Sequence, residues 1–241
     1  MSQRRYPISS SVAIKERASA ETRTRDLSAS DNCSVPVAPT DPAYAVAKRA
    51  LDITLSLALL VALWWLFVLI AVLVKATSRG PVIYRQYRIG RGGRAFRFFK
   101  FRSMVDGADA QLDEVAGLNT TGGPTFKHPE DPRITSVGRF LRRTSLDELP
   151  QLVNVLRGDM SLVGPRPPLG REVAEYNARD MGRLAVQPGI TCLWQVNGRS
   201  HLGFADQVDL DLEYVNRRSL ALDLYILLQT VPAVLTGRGA C

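Results

Sequence analysis

From Ile53 to Val74 this chain carries no charged residue. A helix of that length reaches across the apolar core of a bilayer, which takes about 20 residues. Such long apolar runs are uncommon in soluble domains, where the other reading is a buried core helix. The flanks constrain the run further. Lys48 and Arg49 precede it, and Lys75 and Arg79 follow it. Positive charge favours the cytoplasmic side of a membrane. With both ends basic, the pattern predicts a segment that dips into the bilayer and returns to the same side. Trp64 and Trp65 stand at its middle, and tryptophan favours the head-group region, so the midpoint is expected to bend towards an interface. Against this, no Pro or Gly lies between Ile53 and Val74, and sharp kinks nearly always have such a cause.

Three regions follow from this division. Residues 1–43 are rich in Ser, Thr, Arg and Ala without apolar periodicity, and are expected to be a disordered tail. They hold no apolar core of a secretory signal. Residues 44–79 are the membrane-anchoring helix, and residues 80–241 are soluble in character. The stretch from Pro81 to Met104 predicts two strands joined by a turn over Gly90–Gly93. Helical spacing is expected over Asp106–Val115, two helices over Gly138–Ser161, a stiff Pro-rich loop over Val163–Gly170 and an amphipathic helix over Glu172–Ala185. A turn-rich stretch from Gln187 leads to a final apolar helix containing Pro232, expected to pack on the core or lie in the interface. The elements add up to an α+β fold: a mostly helical domain with a small β-hairpin, one N-terminal membrane helix, re-entrant or spanning, and interfacial helices.

Charge narrows the partners. Lys and Arg number 31 against 23 for Asp and Glu, a net +8, which suits a nucleic acid, a nucleotide or lipid head groups. Cys33, Cys192 and Cys241 are far apart and lack zinc-site spacing, so they read as reduced cytosolic thiols. With only His128 and His201, a multi-histidine metal site is not expected.

Chemistry concentrates around Asp147 and Glu148. Either Ser145 caps a helix, with Glu148 completing a capping box, or Asp147 itself is the cap and Pro150 falls in the tolerant first turn. Both readings put the carboxylates at a helix start, where the dipole favours anions. There they serve as a cap or do chemistry. An ionised carboxylate so placed can act as a nucleophile and form an acyl-phosphate, and a helix start also favours an incoming phosphate. Adjacent side chains diverge by about 100° on a helix, which suits a nucleophile and a ligand for a hard cation such as Mg²⁺.

Arg166 sits between Pro165 and Pro167, in a loop stiff enough to present one guanidinium to phosphate. Lys100 and Arg102 alternate with Phe99 and Phe101, so a strand would turn both cations to one face. Arg199 follows Gly198 and is a weaker signal. The run GRGGR lacks the Gly-Lys-Ser/Thr ending of a phosphate-binding loop. The basic, aromatic hairpin suits single-stranded nucleic acid, but it directly follows the membrane segment, and aromatics at period two are more often core.

The stretches KFRSM, DPRITSVGRFLRRTSLDELPQLVNVLRGDMSLVGPRP and QPGITCLWQVNGR together resemble the bacterial sugar transferase family, the monotopic phosphoglycosyl transferases that act on polyprenol phosphate. The resemblance runs from Lys48 to the C-terminus and is strongest to exopolysaccharide-initiating members that use UDP-galactose or UDP-glucose. It implies a two-step reaction at the cytosolic side of the bacterial inner membrane. Asp147 matches the nucleophile that attacks the β-phosphorus of a UDP-sugar, releases UMP and holds the sugar phosphate until undecaprenyl phosphate takes it. Glu148 matches the partner carboxylate for Mg²⁺. Lys100, Arg142, Arg166 and Arg199 match positions that handle phosphate or nucleotide. The implied partners are a UDP-sugar, undecaprenyl phosphate, the membrane, and a second copy or later glycosyltransferases of the pathway, with no nucleic acid. The alternative is a catalytically silent anchor of a polysaccharide assembly complex; intact Asp147, Glu148 and Arg166 argue against silence. Two positions depart from the family pattern: Trp64 and Trp65 replace a Ser-Pro pair that breaks the membrane helix, and Cys192 replaces a Gly, which implies a loss of backbone freedom.

Overall fold

The computed structural model describes residues 37–108, 111, 131–198 and 202–237. The expected tail up to residue 36, most of the helix expected over Asp106–Val115, and Arg199 lie outside the described residues. So do His128, His201, Cys33 and Cys241. Residues 37–41 are already bonded to the folded chain, with Ala38 N donating to Ala185 O at 3.1 Å.

The apolar run forms two helices where the sequence predicts one: α1 (Pro42–Ala62) and α2 (Trp64–Thr77), bent by 64° at Leu63. Asp41 caps α1, accepting from Ala43 N at 2.9 Å, and Pro42 occupies the first turn, where a missing N–H is harmless. Leu63 leaves the helical region at φ −104°, ψ 11°. The bend has no Pro or Gly; its cause is tertiary. The two helices are tied to different parts of the domain, α1 to residues 151–157 and 161–163, α2 to residues 95–101 and 136–143. No single helix among the described residues is long and apolar enough to cross a membrane, although the bent pair passes that test together.

α1 is built inside out. It buries Lys48, Asp52 and Ser56, one stripe at i, i+4, i+8, and exposes Ile53, Leu57, Leu59 and Val61. A helix on a water-facing surface does the reverse. Two members of the buried stripe are paired by the domain: Lys48 lies 3.3 Å from Asp223 and 3.6 Å from Asp52, whose Oδ1 accepts from Leu162 N at 3.1 Å. Tyr44 and Tyr214 donate to the two Asp223 oxygens at 2.9 and 2.8 Å. Exposed Trp64, Trp65, Val68 and Val72 continue the apolar surface along α2. An uninterrupted apolar surface of this extent marks a protein or membrane contact.

The hairpin forms as expected. β1 (Ile83–Ile89) and β2 (Ala95–Phe101) run antiparallel, with Tyr84 opposite Lys100 and Tyr87 opposite Arg97. The turn between them needs left-handed backbone at Gly92 and Gly93, φ 65° and 78°. Phe101 packs on Ile70, Val74 and Leu141, tying hairpin, α2 and α3 (Ser136–Arg143) into one cluster. Burying each such side chain contributes about 1.5–3 kcal/mol.

A short 3-10 turn, Leu146–Glu148, separates α3 from α4 (Gln151–Arg157). β3 (Ser161–Val163), where the expected helices give way to the Pro-rich loop, then pairs in parallel with β4 (Gly189–Thr191) from the stretch expected to be turn-rich, making a second sheet. The two strands approach so closely that a Cβ at Gly189 would lie 2.1 Å from Gly164 N. The helix expected over Glu172–Ala185 is broken into α5 (Gly170–Val173) and a 3-10 segment, Asp180–Ala185. Asn177 Oδ1 accepts from Arg179 N and Asp180 N at 2.8 and 3.0 Å, and Asp180 Oδ2 accepts from Asn177 N at 3.2 Å. These local side-chain bonds compete with the helical ladder. α6 (Leu193–Val196), α7 (Phe204–Arg217) and α8 (Leu220–Thr236) complete the α+β fold. α8 contains Pro232 as expected and repeats the inversion of α1, burying Asp223 while exposing Leu224, Leu228, Val231 and Leu235.

Candidate active site

Ser145 ends α3 with φ 55°, the only non-glycine residue with positive φ among the described residues. That left-handed step turns the chain so that Leu146 and Leu149 reach the core while Asp147 goes inward. Neither expected cap forms. Ser145 makes no side-chain cap bond, and the residue before α4 is Pro150 at φ −62°, where the missing N–H leaves no ladder bond open. The dyad therefore sits in the 3-10 turn ahead of α4 rather than on its first turn. Asp147 is 5% exposed, while Glu148 is half-buried.

Burial pushes the Asp147 carboxyl above the ordinary carboxylate range, and Lys100 and then Arg142 pull it back. The effect is mutual. Lys100 is pushed down to about 8 by burial and then by Arg142, with Asp147 and Glu148 opposing. Arg142 is lowered by burial, with Asp147 and Asp131 opposing. The structure thus brings Asp147, Glu148, Lys100 and Arg142 into one electrostatic group. Lys100 also lies 5.5 Å from the ring of Tyr84, its partner across the hairpin.

Arg166 joins this group through Arg142. Pro165, Pro167 and Pro168 are buried and Arg166 between them is half-exposed, as a stiff loop presenting one guanidinium requires. Its charge acts on both Arg142 and Arg88. Cations gathered this closely repel one another, which makes the site receptive to an anion with several charges.

Arg102 does something else. Its guanidinium donates to Ser78 O at 2.8 Å, to Ser78 Oγ and to Pro81 O. β2 ends at Phe101, so the alternation that aligns Lys100 with Arg102 stops one residue short. Arg102 locks the end of α2 to the start of the hairpin and has no donor bond directed at Asp147 among those described. Cys192, replacing a Gly of the family pattern, stands at φ −152°, ψ 171°. That is extended backbone any residue adopts, so the expected loss of backbone freedom does not arise.

Sequence reasoning passed over Arg88. It shares the inward face of β1 with Tyr84 and Gln86, and the same period-two alternation that singled out Lys100 would have found it. It also passed over the buried pair Arg183–Asp211, bonded at 2.6 and 2.8 Å, in which burial raises the Asp211 carboxyl to about 6. A separate cavity of about 230 Å³ lies between α1, β3 and α7 and is not lined by Asp147, Glu148, Lys100, Arg142 or Arg166. Two cations on its wall are already bonded: Arg49 to Val155 O and Leu156 O, Arg218 to Val215 O.

The family model described as bacterial sugar transferase matches residues 43–237. The galactosyl transferase CpsE of Streptococcus agalactiae is 44% identical over 198 residues, covering 82% of this chain and 44% of that protein. The exopolysaccharide production protein ExoY of Sinorhizobium fredii is 41% identical over 203 residues, 83% of this chain and 90% of that one. The undecaprenyl-phosphate galactose phosphotransferase of Salmonella typhimurium is 43% identical over 197 residues, 80% of this chain and 41% of that one. The chain therefore spans less than half the length of two of these relatives and nearly all of the third.

Proposed function

Because the chain belongs to the bacterial sugar transferase family, we propose that it moves a sugar 1-phosphate from a UDP-sugar to undecaprenyl phosphate, the first step of an exopolysaccharide or related glycan. The observation that carries this reading is the buried Asp147, whose charge interacts with Lys100 and Arg142, the latter interacting in turn with Arg166. In the first step an Asp147 carboxylate oxygen bonds to the β-phosphorus. The bond from that phosphorus to the bridging oxygen breaks, and UMP leaves with the electron pair. In the second step a phosphate oxygen of the lipid attacks the same phosphorus. The acyl-phosphate bond breaks and Asp147 is regenerated as a carboxylate.

The protein's part is positioning and charge. Lys100 and Arg142 oppose the upward push of burial on the Asp147 carboxyl and then face the charge that develops on the phosphoryl oxygens. Arg166, with a planar fork of donors, binds phosphate as well. No group of three His, Cys, Asp or Glu is preassembled among the described residues. Two adjacent carboxylates still suit Mg²⁺, which takes one or two and completes its shell with phosphate oxygens and water. Glu148, with Asp147 beside it, would hold the ion, which would supply neutralising charge at the pyrophosphate.

The bent helix pair is read as a re-entrant anchor. Both of its ends are fastened to the same domain: α1 through Arg49 to the end of α4 and Lys48 to Asp223, α2 through Ser78 to Arg102. A pair with both ends on one side of the membrane dips and returns. Since UDP-sugars are cytosolic, that side is the cytosol. The reading is tested by incubating the detergent-solubilised protein with undecaprenyl phosphate and a panel of UDP-sugars. UMP release with UDP-galactose or UDP-glucose supports it; no UMP from any donor refutes it.

A further inference from the structure

Arg88 is 7% exposed, and its guanidinium lies 5.1 Å from the centre of the Phe98 ring. Its Nε donates to Gln86 Oε1 at 3.0 Å, and its Nη1 donates to Pro167 O at 3.0 Å. One residue further on, Ile89 N donates to Pro168 O at 2.9 Å. β1 thus holds two successive carbonyls of the loop, those immediately after Arg166. The far end of the loop is held as well: Leu169 N donates to the buried carboxylate of Glu172 at 2.9 Å. Proline rings restrict φ on both sides of Arg166, so fixing the Pro167 carbonyl leaves the Arg166 side chain as the main freedom of the loop.

The placement of Arg88 is costly by itself. Burial and then Arg166 push its guanidinium down to about 10, with Glu172 opposing. A buried cation at that place makes sense where a polyanion arrives between the two arginines.

We propose that Arg88 is a positioning residue: its bond to the Pro167 carbonyl aims Arg166 at the phosphate that reacts at Asp147. This rests on the phosphotransferase reading above. Misplacing a clamp by about 1 Å lowers a rate by up to about 100-fold. Arg88→Gln is therefore expected to lower kcat/KM for the UDP-sugar on the order of 10- to 100-fold and to weaken UMP binding measured by calorimetry.

A residue that acts through Arg166 has nothing left to act on once Arg166 is gone. In an Arg166→Ala background, Arg88→Gln should change kcat/KM and UMP affinity by less than about twofold, a strong departure from additivity. Arg88→Lys, which can still donate to Pro167 O, should recover a large part of the activity, and Arg88→Met should not. Full additivity of the two substitutions overturns the proposal, as does equal activity of the Lys and Met variants. If Arg88→Gln does not fold, the Lys and Met variants are compared in both backgrounds. Failure of the phosphotransferase reading is a different result, in which the unmodified protein releases no UMP.

Discussion

Asn154 stitches α4 to β2. Its side-chain amide donates to Arg97 O at 2.6 Å, and its side-chain oxygen accepts from Phe99 N at 3.1 Å. The residue is completely buried. Because α4 follows Asp147 and β2 carries Lys100, these two bonds set how Asp147 and Lys100 face each other. Asn154→Leu keeps the volume and leaves one part-buried N–H and one part-buried C=O without their partner. Each such group costs about 1–3 kcal/mol, so denaturant unfolding should show a loss of about 2–4 kcal/mol. An unchanged midpoint would mean that water or a shifted backbone serves these groups and that the stitch does not set the geometry.

The site is strained electrostatically, and pH exposes it. The Lys100 ammonium titrates at about 8 in the folded protein, below its ordinary value of 10.5. Between those values the unfolded chain binds more protons than the folded one, so this group makes stability rise as pH climbs through that window. Below it, the buried charge holds stability down. Lys100→Met should therefore melt higher than the parent at pH 7, by an amount equivalent to about 1 kcal/mol, and should be inactive. For the parent, kcat/KM should fall as pH rises through about 8, where Lys100 loses its charge. A Met variant of lower stability, or activity that stays level to pH 10, would contradict this account.

Much of the fold was legible in local sequence. The hairpin followed from period-two alternation around a glycine turn, and both elements flanking Asp147 followed from the apolar spacing. What escaped was long-range. Ser161–Val163 and Gly189–Thr191 are three residues each, and only their parallel pairing across the chain makes them strands. The break at Leu63 has no Pro or Gly because packing on two different surfaces makes it. Within the site, Asp147, Glu148, Lys100, Arg142 and Arg166 were all read as candidates, and the structure groups them. Arg102 was misread because alternation does not say where a strand stops. Arg88 was missed because an inward arginine on a strand looks like surface charge until its partner, the Pro167 carbonyl, is known.

Glu148 and a divalent cation should act together. Chelator is expected to stop UMP release and added Mg²⁺ to restore it, while Glu148→Gln should raise the Mg²⁺ concentration needed or remove activity. Full activity in chelator would leave Glu148 without a metal to hold.

The anchor should enter and leave on one side. With Cys33 replaced, a single cysteine at position 28 should resist a membrane-impermeant thiol reagent on intact cells and react once the membrane is opened. Labelling of intact cells would establish a span.

The central claim is that Asp147 carries the sugar phosphate. The direct measurement is incubation with a UDP-sugar labelled at the β-phosphorus, without lipid acceptor, followed by acid quench and mass analysis of the peptide containing Asp147. The account predicts label on Asp147, release of UMP in comparable amount, discharge on adding undecaprenyl phosphate, and neither label nor UMP from Asp147→Asn. UMP release that depends entirely on the lipid acceptor with no labelled protein, or label retained by the Asn variant, would contradict it.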